Sequence, residues 1–408
     1  MNILYIEHYA GSPTYGMEFR PFYLSREWVK QGHQVTIIGS SFSHLRQRNP
    51  EVKEDFQEET IDGIKYVWMK GNEYKGSLSR IRDILTFVWK LKCNARRIVK
   101  MYHPDLVIAS STYPLDNYPA YKIAKLSKAK YTYEVHDLWP LSPMVIGGYS
   151  KWHPFIWVMQ RAEDFAYKHV DKVISLLDRA EPHMIEHGLP EGKFVWVTNG
   201  YNPEEWTEEA FNRELPEVHQ KAFDRLKGKL IVGFAGGLAA SGSLPPLIKA
   251  ASLLKDMENL HVVIVGKGPE EVNLKNLVQQ LQLDNVTFLP PVSKNMMASL
   301  DSHFDICYIA GVKSVLSKYG GAANKLTDYM LCGKPIVNGT DNPEALVEKI
   351  GCGLRAEAEN PEAMAAIIRR IAEMTNEQRQ AMGEKGKVYA KQNRPWAALA
   401  DKFLKAFE

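Results

Sequence analysis

One pattern, present twice, constrains this chain more than any other: an apolar run, a glycine-bearing loop, a helical stretch and a second β-branched run. Ile3-Leu4-Tyr5-Ile6 leads into a loop from Gly11 to Gly16, then a helical stretch from about Met17 to Gln31 stopped by Gly32, then a run from Gln34 to Ile38. So short a strand–loop–helix–strand sequence is a βαβ unit, and its two strands lie parallel in one sheet. Further strands are expected at Ile64–Met69, Leu106–Ala109, Tyr131–Val135, Lys172–Ser175 and Phe194–Thr198. After a polar stretch, Asn202 to Lys229, the pattern restarts. Leu230–Ala235 meets Gly236-Gly237, Leu244–Leu254 reads as a helix, and His261–Val265 runs into Gly266-Lys267-Gly268-Pro269. Val286–Leu289, Phe304–Tyr308 and Pro335–Asn338 follow as strands.

The expectation is an α/β protein of two Rossmann-like domains, suited to the 408-residue length, facing a central cleft at their strand C-termini. The first domain is expected over 1–205 and the second over 215–388. Pro395 and Trp396 interrupt the last helical segment, so a C-terminal helix of about 390–408 is expected to cross back to the first domain. Hydrophobic residues at 45% and charged residues at 24% suit a water-soluble chain with a real core. Cys93, Cys307, Cys332 and Cys352 form no CxxC pair and read as free thiols of a reducing compartment. The opening MNILYIEHY lacks a basic leader and reads as a strand, and the uncharged Leu230–Ile248 is broken by glycines and prolines. A cytoplasmic protein with no membrane span is expected.

Net charge is only +3, yet Lys65 to Lys130 holds 14 Lys/Arg against Glu73, Asp83, Asp105 and Asp116. Within it, Ser79 to Tyr102 sets Ile81, Ile84, Leu85, Val88, Leu91 and Ala95 at helical spacing among basic residues. The apolar stripe reads as packed on its domain. The basic 65–130 face is read as contacting an anionic membrane surface, the protein lying peripherally at the inner face of the cell membrane. Nucleic acid is not expected, because no binding module accompanies the charge.

The richest stretch runs from Gly320 to Val337, GGAANKLTDYMLCGKPIV. A glycine-opened loop enters a short helix that stops at Gly333 and feeds a buried strand. Backbone N–H groups at that helix start, with Lys325, suit phosphate oxygens, and Asp328 suits a ribose diol. An ordinary loop–helix–strand corner would look similar. Elsewhere, His183-Met-Ile-Glu-His187 fits the H-x-x-E-H pattern of zinc peptidases, but Gly188 and Pro190 end the helix at once, and a peptidase is set aside. Gly11-Ser-Pro-Thr-Tyr-Gly16 is not the G-x-G-x-x-G of a dinucleotide oxidoreductase. No Asp-x-Asp follows a suitable strand, so no metal is expected.

NKLTDYMLCGKPIV closely resembles the donor-contacting segment of retaining, two-domain glycosyltransferases of family 4, the GT-B fold. Gly16-Met-Glu-Phe-Arg20 through Gly32-His-Gln-Val-Thr36, Tyr133-Glu-Val-His-Asp-Leu-Trp-Pro140, Thr198-Asn-Gly200 and Val265-Gly-Lys-Gly-Pro269 fit in order, and the likeness is to the bacterial O-antigen and surface-polysaccharide branch. The resemblance implies a metal-independent enzyme without a cofactor, the nucleoside-diphosphate sugar from which it moves a sugar being a substrate, with UDP and an N-acetylated hexosamine or deoxyhexosamine fitting the branch. The implied acceptor is a polyprenyl-diphosphate-linked saccharide. His136 and Asp137 are the implied catalytic residues. Gly16, Gly237, Ser241, Gly266, Gly268, Pro269, Val292, Asn324, Lys325 and Asp328 are the implied donor contacts, and Glu18 and Arg20 the acceptor contacts.

The chain departs from the family in three places. The first of two glutamates falls on Gly320, the second is the shorter Asp328, and Gly236 to Ser243 lacks the usual basic pair. The diphosphate charge then falls to Lys325, with Lys318 or Lys313, and to backbone N–H groups. A nucleotide-sugar 2-epimerase of the same architecture, or a non-catalytic nucleotide-sugar-binding protein, are the alternatives.

Overall fold

The computed structural model describes residues 1–342 and 344–408, and the chain divides into two compact units. Unit one is Met1–Asn199 with Trp396–Glu408, and unit two is Gly200–Pro395.

Unit one holds β1 (Asn2–Ile6), β2 (Gln34–Ser40), β3 (Gln57–Ile61), β4 (Ile64–Met69), β5 (Leu106–Ala109), β6 (Lys130–Val135), β7 (Lys172–Ser175) and β8 (Phe194–Trp196), in the order β3-β4-β2-β1-β5-β6-β7-β8. Every pairing is parallel except β3 with β4. Ile3, Leu4, Tyr5 and Ile6 are all buried, as expected of a central strand covered on both faces. β3, Gln-Glu-Glu-Thr-Ile, was not expected. It is a charged edge strand, a composition that guards an open edge, joined to β4 by Asp62-Gly63 with both residues at positive φ.

The helix Arg20–Lys30 covers β1 and β2 with Phe22, Leu24 and Trp28. The final helix, Trp396–Lys405, packs against it: Trp396 stacks on Tyr23 at 5.3 Å, Phe403 meets Trp28 edge-on at 5.0 Å, and Trp28 donates to the Ala400 carbonyl at 3.1 Å. Residues 390–395 lie in unit two instead, where the helix Asn376–Asn393 ends before Pro395.

Unit two is an all-parallel sheet of β9 (Leu230–Ala235), β10 (Leu260–Val265), β11 (Val286–Leu289), β12 (Ile306–Ala310), β13 (Ile336–Gly339) and β14 (Gly353–Ala356), in the order β11-β10-β9-β12-β13-β14. The polar stretch that begins at Asn202, between the two expected domains, folds onto this unit. Ser299 Oγ donates to the Arg213 carbonyl at 2.6 Å, Arg213 to the Asn295 carbonyl at 2.8 Å, and Lys294 pairs with Glu205 at 2.9 Å. Among the described residues no helix is long and apolar enough to cross a membrane.

Candidate functional site

In unit one the chemistry gathers where β1, β5 and β6 end. Alternation along β6 places Glu134 in the sheet interior, fully buried. Arg20, at the start of the first helix, meets it: Nε lies 3.0 Å and Nη2 2.9 Å from Glu134 Oε1. Arg20 also donates to the Thr198 and Val197 carbonyls at 2.7 and 2.8 Å and is 4% exposed. Its expected role as an acceptor contact is therefore corrected: the guanidinium is used up inside the unit. Tyr5 and Ser110 hydroxyls donate to Glu134 Oε2, Ser110 at 2.7 Å. Burial alone would raise the Glu134 carboxyl, but the Arg20 charge and the donors from His136 and Tyr5 outweigh it and hold it well below the usual carboxylate range.

His136 stands directly on this network. Its Nε2 lies 2.8 Å from Ser110 Oγ and 3.3 Å from Glu134 Oε2. Because Ser110 spends its proton on Glu134, the shared proton is assigned to His136 Nε2, which leaves Nδ1 as an acceptor. The side chain is 16% exposed, open enough to meet a ligand. Asp137 differs. Its Oδ1 accepts from Leu138 N at 2.9 Å and from Ser142 Oγ at 2.5 Å, and burial raises its carboxyl. These bonds tie it to the turn into the helix Leu141–Gly147, and it is also one of the residues lining a neighbouring cavity.

Gly16 has φ 98°, and a Cβ there would sit 2.9 Å from Gln47 N, so the Gly11–Gly16 loop closes on the segment bearing Arg46. Glu18 is half-buried, and its backbone N–H donates to the Tyr9 carbonyl at 3.4 Å. Beside Asp137 opens a mainly apolar cavity of about 770 Å³ lined by Leu78, Ile81, Trp139, Ile146, Tyr149 and Phe155, among others.

In unit two the ends of β9 and β10 face the helix Asn324–Leu331. A Cβ on Gly266 would lie 1.9 Å from the Gly236 carbonyl oxygen, and one on Gly268 2.3 Å from that of Leu238. These glycines let two backbone loops touch. Gly237 has nothing within 4 Å and is exposed with Ser241, while Pro269 and Asn324 are exposed and Val292 half-buried. Lys325 reaches across Gly236: its Nζ is 2.7 Å from where a Cβ would stand and 3.9 Å above the Phe234 ring. The ammonium missing from the Gly236–Ser243 loop thus arrives from the neighbouring helix. Burial pushes Lys325 down to about 8 against the pull of Asp301 and Asp328. Burial likewise lifts Asp328 to about 7, countered by Lys294 and Lys325 and reinforced by Glu205. Lys313 pairs with Glu357 at 3.0 Å, and Lys318 lies over Tyr319.

Two features of these sites escaped the sequence reading. Glu134 was quoted in a motif but given no role, although a lone acid in an otherwise buried strand signals a buried partner. Asp301, fully buried with both oxygens unpartnered, lies near enough to Lys325 and Asp328 to influence both.

Comparison with known proteins bears on the family and the fold. Residues 15–205 match Glycosyltransferase Family 4 and residues 217–389 match Glycosyl transferases group 1. A glycosyltransferase of Methanocaldococcus jannaschii is 23% identical over 248 residues, a match that spans 59% of each chain. Among solved structures, sucrose-phosphate synthase of Thermosynechococcus elongatus superposes with TM-score 0.73 at 15% identity, over 100% of this chain and 98% of the other. Anabaena HepE in complex with UDP and glucose gives 0.64 at 15% identity, over 100% and 99%. The chain is a glycosyltransferase of the GT-B fold, a family 4 domain followed by a group 1 domain.

Proposed function

We propose that the protein transfers a sugar, with retention, from a nucleoside-diphosphate sugar to a lipid-linked saccharide in surface-polysaccharide biosynthesis. The observation that carries the reading is Lys325 laid over Gly236 beside the open backbone of Gly237 and the start of the helix Asn324–Leu331. A diphosphate has there one ammonium, a helix N-terminus and a loop without side chains to block approach. Asp328, one turn on, accepts from the ribose hydroxyls. UDP is the favoured nucleotide, in keeping with its presence in the HepE structure, and an N-acetylated hexosamine or deoxyhexosamine the favoured sugar.

His136 contributes an acceptor at Nδ1, held in one orientation by Ser110 and Glu134, to a hydroxyl of the transferred sugar. The departing diphosphate takes the acceptor's proton, so the protein's task is to position the partners and to stabilise the leaving group. No metal or cofactor enters this scheme, since Lys325 and the backbone N–H groups supply the positive charge.

The acceptor's lipid is read from unit one. The helix expected as a single piece from Ser79 to Tyr102 is two, Ser77–Cys93 and Ala95–Tyr102. Its stripe divides: Ile84, Leu91 and Ala95 are buried, whereas Leu78, Leu85 and Trp89 are 84%, 50% and 63% exposed. Ile146 and Trp152 are also exposed, at 76% and 81%. Some of the basic residues are engaged by the unit itself, the half-buried Lys90 pairing with Asp55 at 2.7 Å and the exposed Arg97 lying over the Phe56 ring at 4.0 Å. Arg82, Lys92 and Arg96 stay exposed around the apolar side chains. Apolar groups ringed by cations suit the surface of an anionic bilayer, and the apolar cavity suits a prenyl chain. The test is a UDP-sugar panel with and without a polyprenyl-diphosphate saccharide. Acceptor-dependent UDP release supports transfer; isomerised sugar without acceptor would instead establish an epimerase.

A further inference from the structure

We propose that Glu163, His183 and His187 form a binding site for a divalent transition-metal ion of the zinc type, built from residues that have no part in the transfer scheme above. The two histidines belong to the short helix Glu181–Glu186 and its cap, and Glu163 to the preceding helix, Pro154–His169. Although the helix is short, its last turn is intact: His187 N donates to the His183 carbonyl at 3.2 Å. The i, i+4 spacing therefore puts both imidazoles on one face, with ring centroids 4.5 Å apart. One donor atom from each of the three residues lies within 4.8 Å of the others. His183 Nε2 and Glu163 Oε1 are 3.3 Å apart. A tetrahedral ion with bonds of about 2.0–2.1 Å places its ligand atoms roughly 3.3 Å apart.

The surroundings are those of a metal site rather than a chance cluster. Glu163 is 1% and His183 6% exposed, and His187 at 29% leaves one side open for a water ligand. Asp164 Oδ1 and Gln160 Nε2 each lie 2.9 Å from His187 Nδ1, so the ring is held in place by the helix that carries Glu163. Tyr167 donates to Glu163 Oε1 at 2.9 Å and Gln160 to Oε2 at 2.8 Å, which orients the carboxylate. Two imidazoles and a carboxylate favour zinc and its late first-row neighbours over calcium or magnesium. Glu186, the glutamate of the H-x-x-E-H pattern, is exposed and outside the cluster. The site therefore lacks the peptidase base, and its ion fastens two helices of unit one instead.

The test uses tag-free full-length protein, stripped by chelation and titrated with Zn²⁺ and separately with Co²⁺. The expected result is one equivalent bound per chain, visible d–d absorption for the Co²⁺ form, and a higher melting midpoint with Zn²⁺. All three are lost in His187→Ala. Asp164→Asn keeps the stoichiometry but weakens binding by about 10–100-fold. His187→Gln replaces His187→Ala if the alanine variant does not fold. No saturable binding by the wild type, or undiminished binding by both His187→Ala and Glu163→Gln, overturns the proposal and leaves the cluster a hydrogen-bonded strut.

Discussion

Arg20 and Glu134 form a buried ion pair, Nη2 to Oε1 at 2.9 Å with side chains 3% and 0% exposed, and His136 rests on its carboxylate. The helix Arg20–Lys30 and β6 are far apart in sequence, so this pair ties the glycine loop's helix to the strand that presents the histidine. The charge on Glu134 serves two ends: it satisfies Arg20 and it fixes which nitrogen of His136 carries the proton.

Breaking the pair from one side is expected to be costly. Arg20→Met leaves an uncompensated buried carboxylate and lowers stability by about 3–5 kcal/mol, measured by urea unfolding. The double variant Arg20→Met/Glu134→Leu recovers much of that loss, because no buried charge remains. Equal destabilisation of the single and double variants would show that the pair is not the cause.

His136→Ala is expected to lower kcat by about 10²-fold or more while UDP affinity and the circular dichroism spectrum stay unchanged. Ser110→Ala, which removes the hydroxyl between His136 and Glu134, lowers kcat less. A fully active His136→Ala enzyme would remove the residue from the mechanism.

Nucleotide affinity is expected to peak between pH 7 and 8. Asp328, raised to about 7, must lose its proton to accept from a ribose, so affinity rises as pH climbs through that value. Lys325, lowered to about 8, must keep its proton, so affinity falls above it. The stability of the free protein follows the same shifts by linkage. A carboxyl raised in the folded state makes stability fall as pH rises from about 4 to 7, and a lowered ammonium makes it rise from about 8 to 10.5. Asp328→Asn flattens the acid limb of UDP binding and Lys325→Met the alkaline limb, as followed by calorimetry.

The glycines of unit two separate by role. Gly266→Ala and Gly268→Ala are expected to cost about 1–3 kcal/mol, since the new Cβ meets backbone at 1.9 and 2.3 Å. Gly237→Val leaves the melting midpoint near that of the wild type, because nothing lies within 4 Å, yet weakens UDP binding. Thermal unfolding with and without UDP reads both effects.

Membrane docking is tested on the exposed apolar residues. Leu78→Glu/Trp89→Glu is expected to abolish flotation with anionic liposomes while acceptor-independent UDP binding persists. Flotation equal on neutral and anionic vesicles would contradict the part assigned to Arg82, Lys92 and Arg96.

The inner strands were legible because burial on both faces writes them as largely apolar runs: β4, β5, β7 and β9 start and stop as expected, and so does the half-buried edge strand β11. β3 was not, since an edge strand reads as polar, yet Asp62-Gly63 before Ile64 was a hairpin signal in plain sight. The second unit opens at Gly200, ahead of the 215 expected for the second domain, and its polar opening is held by Arg213, Lys294 and Ser299, contacts that no local pattern announces. The same limit governed the site. His136, Lys325 and Asp328 were chosen by their position in motifs, whereas the bonds that hold Arg20 and Asp137 come from partners that only the fold brings to them.

The most direct test of the central claim is a thermal-shift comparison of the wild type and Lys325→Met against UDP, GDP, ADP, dTDP, CMP and NAD⁺. A ligand that binds only the folded state raises its melting midpoint. The account predicts a selective rise with one nucleoside diphosphate, UDP foremost, that is much reduced in Lys325→Met. A rise with NAD⁺ alone, or a UDP response indifferent to Lys325, would contradict the donor site described for unit two.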